Sequence, residues 1–144
     1  MTINPKANPK IDPRVNPKIN PKISPKLNLA EAFASFSEHW SPRIAAELNG
    51  QHVKLAKILG EFDWHSHEHE DELFLVHKGS FVMEFRDSRV ELRAGDMIVV
   101  PRGVEHRPVA TEEAEIVLFE PACTLNTGNV RSERTVERPR RVGE

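Results

Sequence analysis

The chain has one cysteine among its 144 residues, Cys123. An internal disulfide is therefore impossible, and a thiolate-rich zinc site is excluded. A reducing, cytoplasmic setting is expected. No apolar run reaches the length of a bilayer span, and the N-terminus lacks the apolar core of an export signal. The expectation is a protein without a membrane partner. Charge of one sign is also missing: the formal net charge is −2, which argues against a dedicated nucleic-acid partner. There is no Gly-x-Ser-x-Gly elbow and no phosphate-cradling glycine loop, so nucleophilic-serine and nucleotide chemistry have no support. The length suits one domain.

Proline is unevenly distributed. Six of the 11 prolines fall in residues 1–27, in a four-residue repeat that runs from Asn4-Pro5-Lys6-Ala7 to Ser24-Pro25-Lys26-Leu27. A proline every fourth residue removes helix donors and prevents a central strand. Residues 1–27 are read as a disordered, basic tail with polyproline-like character. They hold six basic residues and one acidic residue, so the rest of the chain carries −7. Charge at such regular spacing is not a specific recognition signal, so a repeat expansion tolerated by the folded domain is favoured over an electrostatic arm.

From residue 28 the pattern changes. Leu29–His39 suits a short helix or lead-in, with Phe33 and Phe36 on one face. Arg43–Leu48 and Gln51–Leu59 flank Asn49-Gly50, a two-residue hairpin signal. Leu73–Val76 and Phe81–Phe85 flank a second turn. Val90–Arg93, Met97–Val100 and Ile116–Phe119 complete a set of short strands. Such spacing predicts an all-β sandwich or barrel over residues 28–125. Residues 126–144 form a polar extension expected to fray or to wrap a neighbour.

One cluster carries chemistry. His65-Ser66-His67-Glu68-His69-Glu70-Asp71-Glu72 gathers imidazoles and carboxylates, and His106 follows 34 residues after Glu72. These side chains bind divalent metals where thiolates are lacking. His65 and His67 share one face of an extended segment. A solvated acidic loop is the competing reading.

The spacing resembles that of the cupin family. Its first motif is read as Gly60, four residues, His65-Ser66-His67, four residues, Glu72, six residues, Gly79. Its second is Gly95, five residues, Pro101-Arg102-Gly103, two residues, His106. Two positions depart: one residue fewer separates Gly60 from His65, and Ala110 stands at the asparagine position. The resemblance implies a single cupin jelly-roll β-barrel with metal ligands His65, His67, Glu72 and His106. It implies a divalent transition metal (Mn, Fe, Ni, Zn or Cu), a small-molecule ligand or substrate, and a homodimer. Activities of dioxygenase or isomerase type on a small polar metabolite follow as expectations, with a non-catalytic metal-dependent binding or sensor module as the alternative. Chains of this kind resemble those labelled mannose-6-phosphate isomerase-like, a label that speaks to fold more than to reaction. His69, Lys57, Glu84 and Arg102 are weaker candidates for a role beside the metal. His39, His52 and His77 are expected at the surface or in turns. Phe74, Phe81, Met83, Phe85 and Met97 are read as core or pocket lining.

Overall fold

The computed structural model describes residues 23–144; residues 1–22 of the expected tail lie outside them. The described residues form one short helix and seven strands. They are α1 (Leu29–Ala34), β1 (Arg43–Leu48), β2 (Gln51–Glu61), β3 (Glu72–Lys78), β4 (Ser80–Phe85), β5 (Arg89–Arg93), β6 (Met97–Val100) and β7 (His106–Pro121). The helix is shorter than expected. Asn28 caps its start by accepting from the Glu31 N–H, and it stops at Ser35. Phe33 and Phe36 still pack together, with ring centroids 6.1 Å apart.

All strand pairs are antiparallel. The strand order is β1-β2-β7-β3-β6, and β4 joins β5 to β7. The sheet curls on itself because β7 is shared. Its first residues pair with β4, from His106↔Phe85 to Val109↔Val82. Its later part pairs with β3, while β2 runs along nearly the whole strand. This is a jelly-roll barrel. β7 has 16 residues, whereas only Ile116–Phe119 was expected as strand. Pro108 and the polar Thr111-Glu112-Glu113 disguise its first half. Pro108 lacks an N–H, but its carbonyl accepts from the Phe62 N–H at 3.0 Å.

The Asn49-Gly50 turn forms as expected, with φ of 51° and 74° at the two residues, the double left-handed geometry of a tight hairpin. The register of β2 against β7 shifts between Ile58 and Gly60. Lys54, Ala56 and Ile58 of β2 face inward on alternate positions, as do Phe74 and Val76 of β3 and Ile116 and Leu118 of β7. With Phe81, Met83, Leu92 and Val100 these fill the barrel. Outside, Ala32, Phe33 and Phe36 cover Leu55 and Val117. Met97 is not core: it is 61% exposed on β6, at the edge of the main strand order.

The C-terminal segment does not fray. Residues 124–136 pack back on their own barrel, held at Ser66 and Asp63 rather than by strand pairing. No helix among the described residues is long and apolar enough to cross a membrane.

Candidate metal centre

The four candidate ligands come from separate parts of the fold. His65 and His106 exchange backbone bonds, 3.1 Å from the His65 N–H and 2.9 Å from the His106 N–H. The His67 carbonyl accepts from the Gly103 N–H at 2.7 Å, which ties the Pro101-Arg102-Gly103 turn to the first motif. Glu72 opens β3 and points inward by the same alternation that buries Phe74 and Val76. All four side chains are buried, and one ligand atom from each lies within 4.8 Å of the others.

Two of the rings are oriented from behind. The Asp63 carbonyl lies 2.8 Å from His65 Nδ1, and the Val104 carbonyl lies 2.8 Å from His106 Nδ1. A carbonyl can only accept, so each Nδ1 donates to it, and in the neutral ring Nε2 is the atom left to a ligand role. Glu72 Oε1 lies 2.7 Å from His67 Nε2 and 3.2 Å from His106 Nε2. None of these three buried atoms has an aligned hydrogen-bond partner. Buried polar atoms are rarely left so. Gathered ligand atoms without aligned partners are what a cation would satisfy, and three imidazoles with one carboxylate are suitable donors for a divalent transition metal. The residues therefore fit the ion.

The electrostatics agree with that fit. Burial, reinforced by the neighbouring His106, pushes the His65 imidazole down to about 4, so it stays neutral as a ligand must. Burial alone would raise the Glu72 carboxyl; its net shift is well downward, the direction that Nε2–H groups of His106 and His67 produce when no ion is bound and that a bound cation would produce in their place.

Beside this cluster stands a second buried carboxyl, Glu120, which the sequence reading missed. Burial first, and the facing Glu72 carboxyl second, push it well above the ordinary range. Lys54 Nζ donates to Glu120 Oε1 at 2.9 Å and to the Thr124 carbonyl at 3.4 Å. Strand parity was the available signal: Glu120 continues Ile116 and Leu118, and Lys54 precedes Ala56 and Ile58.

Glu72, His65 and Glu120 mark the polar part of a cavity whose other walls include Trp40, Ile58, Phe62, Phe74 and Leu118. The space inside it is small, about 40 Å³. Trp40 sits at φ 58°, a conformation costly for a bulky residue. Its backbone N–H donates to the Lys57 carbonyl and its indole N–H to the Leu59 carbonyl, both at 2.9 Å, and it stacks on Phe62. The ring is thus fixed as a wall.

The weaker candidates lie elsewhere. The His69 side chain is 80% exposed. Lys57 points out of the barrel and donates to the Phe36 carbonyl at 2.7 Å. Glu84 pairs with Arg107 on the exterior. Arg102 forms an exposed pair with Asp71. Among the remaining histidines, His77 is not a simple surface residue, since it stacks on Phe33 at 5.0 Å. The His52 side chain is also largely buried.

Residues 51–120 match the family model of the Cupin domain. A cupin-2 domain containing protein from Shewanella frigidimarina is 47% identical in sequence; its crystal structure superposes with a TM-score of 0.65 over 66% of this chain and 93% of that one. This chain belongs to the cupin superfamily. The crystal structure of a Neisseria meningitidis protein, NMB1881, gives 32% identity and a TM-score of 0.63, over 68% of this cupin and all of that chain. A Bacillus subtilis protein, the uncharacterized YdbB, is 36% identical over 52% of this cupin and 76% of its own length.

Proposed function

We propose that this cupin holds a divalent transition metal through His65, His67, Glu72 and His106 and acts there as an enzyme on a small molecule, by dioxygenase or isomerase chemistry. The observation that carries the reading is the set of three buried, unpartnered ligand atoms aimed at one another. A bound ion would supply Lewis acidity and open positions for a substrate oxygen. The chain's own residues would do the rest. Asp63 and Val104 hold the rings of His65 and His106. Trp40, Phe62 and Phe74 exclude water. Their apolar surfaces favour a substrate with an apolar body and one polar end over a wholly polar metabolite. Glu120 supports catalysis over plain binding, because it places on the cavity wall a carboxyl that the ligand set does not use.

Metal analysis of protein purified without chelators, beside His65→Ala and His106→Ala, tests the centre. Stoichiometric metal in the wild type and its loss from both variants are expected; retention by the variants would refute the ligand set. Oxygen-uptake and product screens over small diketones, phenols, thiols and sugars test the enzyme. Turnover lost in Glu120→Gln with metal retained is the expected signature, and metal-loaded protein inert toward the whole screen would favour the binding module.

The outer sheet face supports a homodimer. Val53, Phe119, Leu73 and Val99 lie in register across four strands, as do Leu55, Val117, Leu75 and Met97 in the next row. Helix α1 covers the β2–β7 end of these rows and reaches Leu75 and His77 of β3, but not β6. Val99 and Met97 remain open on β6, an edge strand that pairing between copies would cover. The mass in solution, with Met97→Lys as the dissociating variant, checks this reading.

A further inference from the structure

The metal-bearing segment is itself irregular. His65 and His67 stand between β2 and β3, and one side of their backbone is fixed by His106 and Gly103. The other side is fixed by residues 124–136, which lie beyond the part of the chain that matches the family model.

Ser66, the residue between the two histidines, gives both of its backbone groups to a single partner. Its N–H donates to Asn129 Oδ1 at 2.9 Å, and its carbonyl accepts from the Asn129 N–H at 3.0 Å. Asp63, whose carbonyl orients the His65 ring, is held by its carboxylate. Ser132 Oγ donates to Asp63 Oδ2 at 2.6 Å and Arg134 to Oδ1 at 3.2 Å. Between these anchors the two chains touch so closely that only glycine fits. A Cβ on Gly128 would lie 2.2 Å from the Ser66 carbonyl oxygen and 3.2 Å from His65 Cδ2.

The segment is stiffened from within. The Asn126 amide donates to the Arg134 carbonyl and accepts from the Val136 N–H, both at 2.8 Å. The Thr127 and Thr135 hydroxyls bond to each other at 2.8 Å, with Thr127 fully buried. Side-chain bonds that close a loop on itself make a compact surface element rather than a loose tail.

We infer that this C-terminal strap is a positioning element of the metal centre: through Ser66 and Asp63 it fixes where His65 and His67 present their nitrogens, so metal affinity depends on Asn129 and Gly128, which are not ligands. The inference rests on the metal reading above. Outer groups that orient ligands typically change affinity by about 10- to 100-fold when removed.

The test compares Asn129→Ala, Asn129→Asp and Ser132→Ala with a core control, Leu92→Ala, which lies apart from both strap and ligands. Zn²⁺ affinity is read by chelator competition, the Co²⁺ absorption spectrum reports ligand geometry, and the Tm of metal-free protein reports stability. Asn129→Ala should weaken Zn²⁺ binding about tenfold and alter the Co²⁺ spectrum. Asn129→Asp keeps an acceptor for the Ser66 N–H and should restore both. Ser132→Ala should lose less, because Arg134 still holds Asp63. Leu92→Ala should lower the Tm at least as far while leaving affinity and spectrum as in the wild type. Wild-type affinity in Asn129→Ala, or an equal loss in Leu92→Ala, would overturn the strap's role while leaving the metal centre intact. A wild type that binds neither ion would refute the metal centre and the strap's role together.

Discussion

The barrel has two interiors. One is built from Val76, Phe81, Met83 and Leu92, all but closed to solvent and wholly apolar. The other, at the mouth, is as deeply buried but holds His65, His67, Glu72, His106, Glu120 and Lys54. The first stabilises the fold by removing apolar surface from water, about 1.5–3 kcal/mol for each large side chain. The second buries polar atoms without satisfying them, which opposes folding. Barrel closure is supplied by one end, and it holds the other in an arrangement that those residues would not adopt alone.

The widest separation between the two ends should come from paired deletions. Met83→Ala should cost about 2–5 kcal/mol in urea unfolding and leave metal affinity per folded molecule unchanged. His106→Ala should abolish metal binding and cost the metal-free protein less than Met83→Ala does, since the cavity and the lost bond to the Val104 carbonyl are partly offset by removal of one orphaned atom. Equal loss of stability in both variants would erase the distinction.

Next in size is the acid response of chelator-treated protein. Folded His65 protonates only near 4, whereas its unfolded counterpart does so near 6.5. Between those values the unfolded chain binds the extra proton. Stability from this group is full above about 6.5 and declines as pH falls toward 4, by roughly 3 kcal/mol at most. Urea midpoints at pH 7 and pH 5 measure it, and His65→Gln should flatten that slope.

A smaller effect of opposite sign belongs to Glu120. Its raised folded pKa means that the native state keeps a proton the unfolded chain has released, so its contribution is present below about 4.5 and is lost as pH rises through the folded value. Glu120→Gln should therefore raise the Tm of metal-free protein at pH 8 by a few degrees and do little at pH 4. An unchanged Tm at pH 8 would mean that Lys54 already compensates the carboxylate.

The cluster at the mouth was legible in the sequence because His65, His67, Glu72 and His106 stand at the spacings of the two family motifs; the fold adds that they are buried and gathered at one point. The apolar strands were legible by alternation. Three features were not. The first half of β7 reads as a break because Pro108 and the Thr111-Glu112-Glu113 run mask an inward Ala110. Lys54 and Glu120 each look like solvent charges until both are placed on the inward parity of paired strands. The strap has no periodicity at all, because its order comes from Asn126, Asn129 and Ser132 bonding to groups that are distant in sequence or on the opposite limb of the loop.

The shared strand β7 also fixes an order of events. His65, His67 and Glu72 leave the ribosome well before His106, and the Asn129 anchor later still. The pairings that close the barrel, such as Gln51↔Pro121 and Val53↔Phe119, span nearly half the chain. Contacts of such separation form late, because the intervening chain must first be ordered. A nascent or partly folded molecule therefore holds only part of the His65, His67, Glu72 and His106 cluster, and under the proposed function tight metal capture would wait until the last strand docks. In refolding experiments the uptake of Co²⁺ should follow, and never precede, the burial of Trp40.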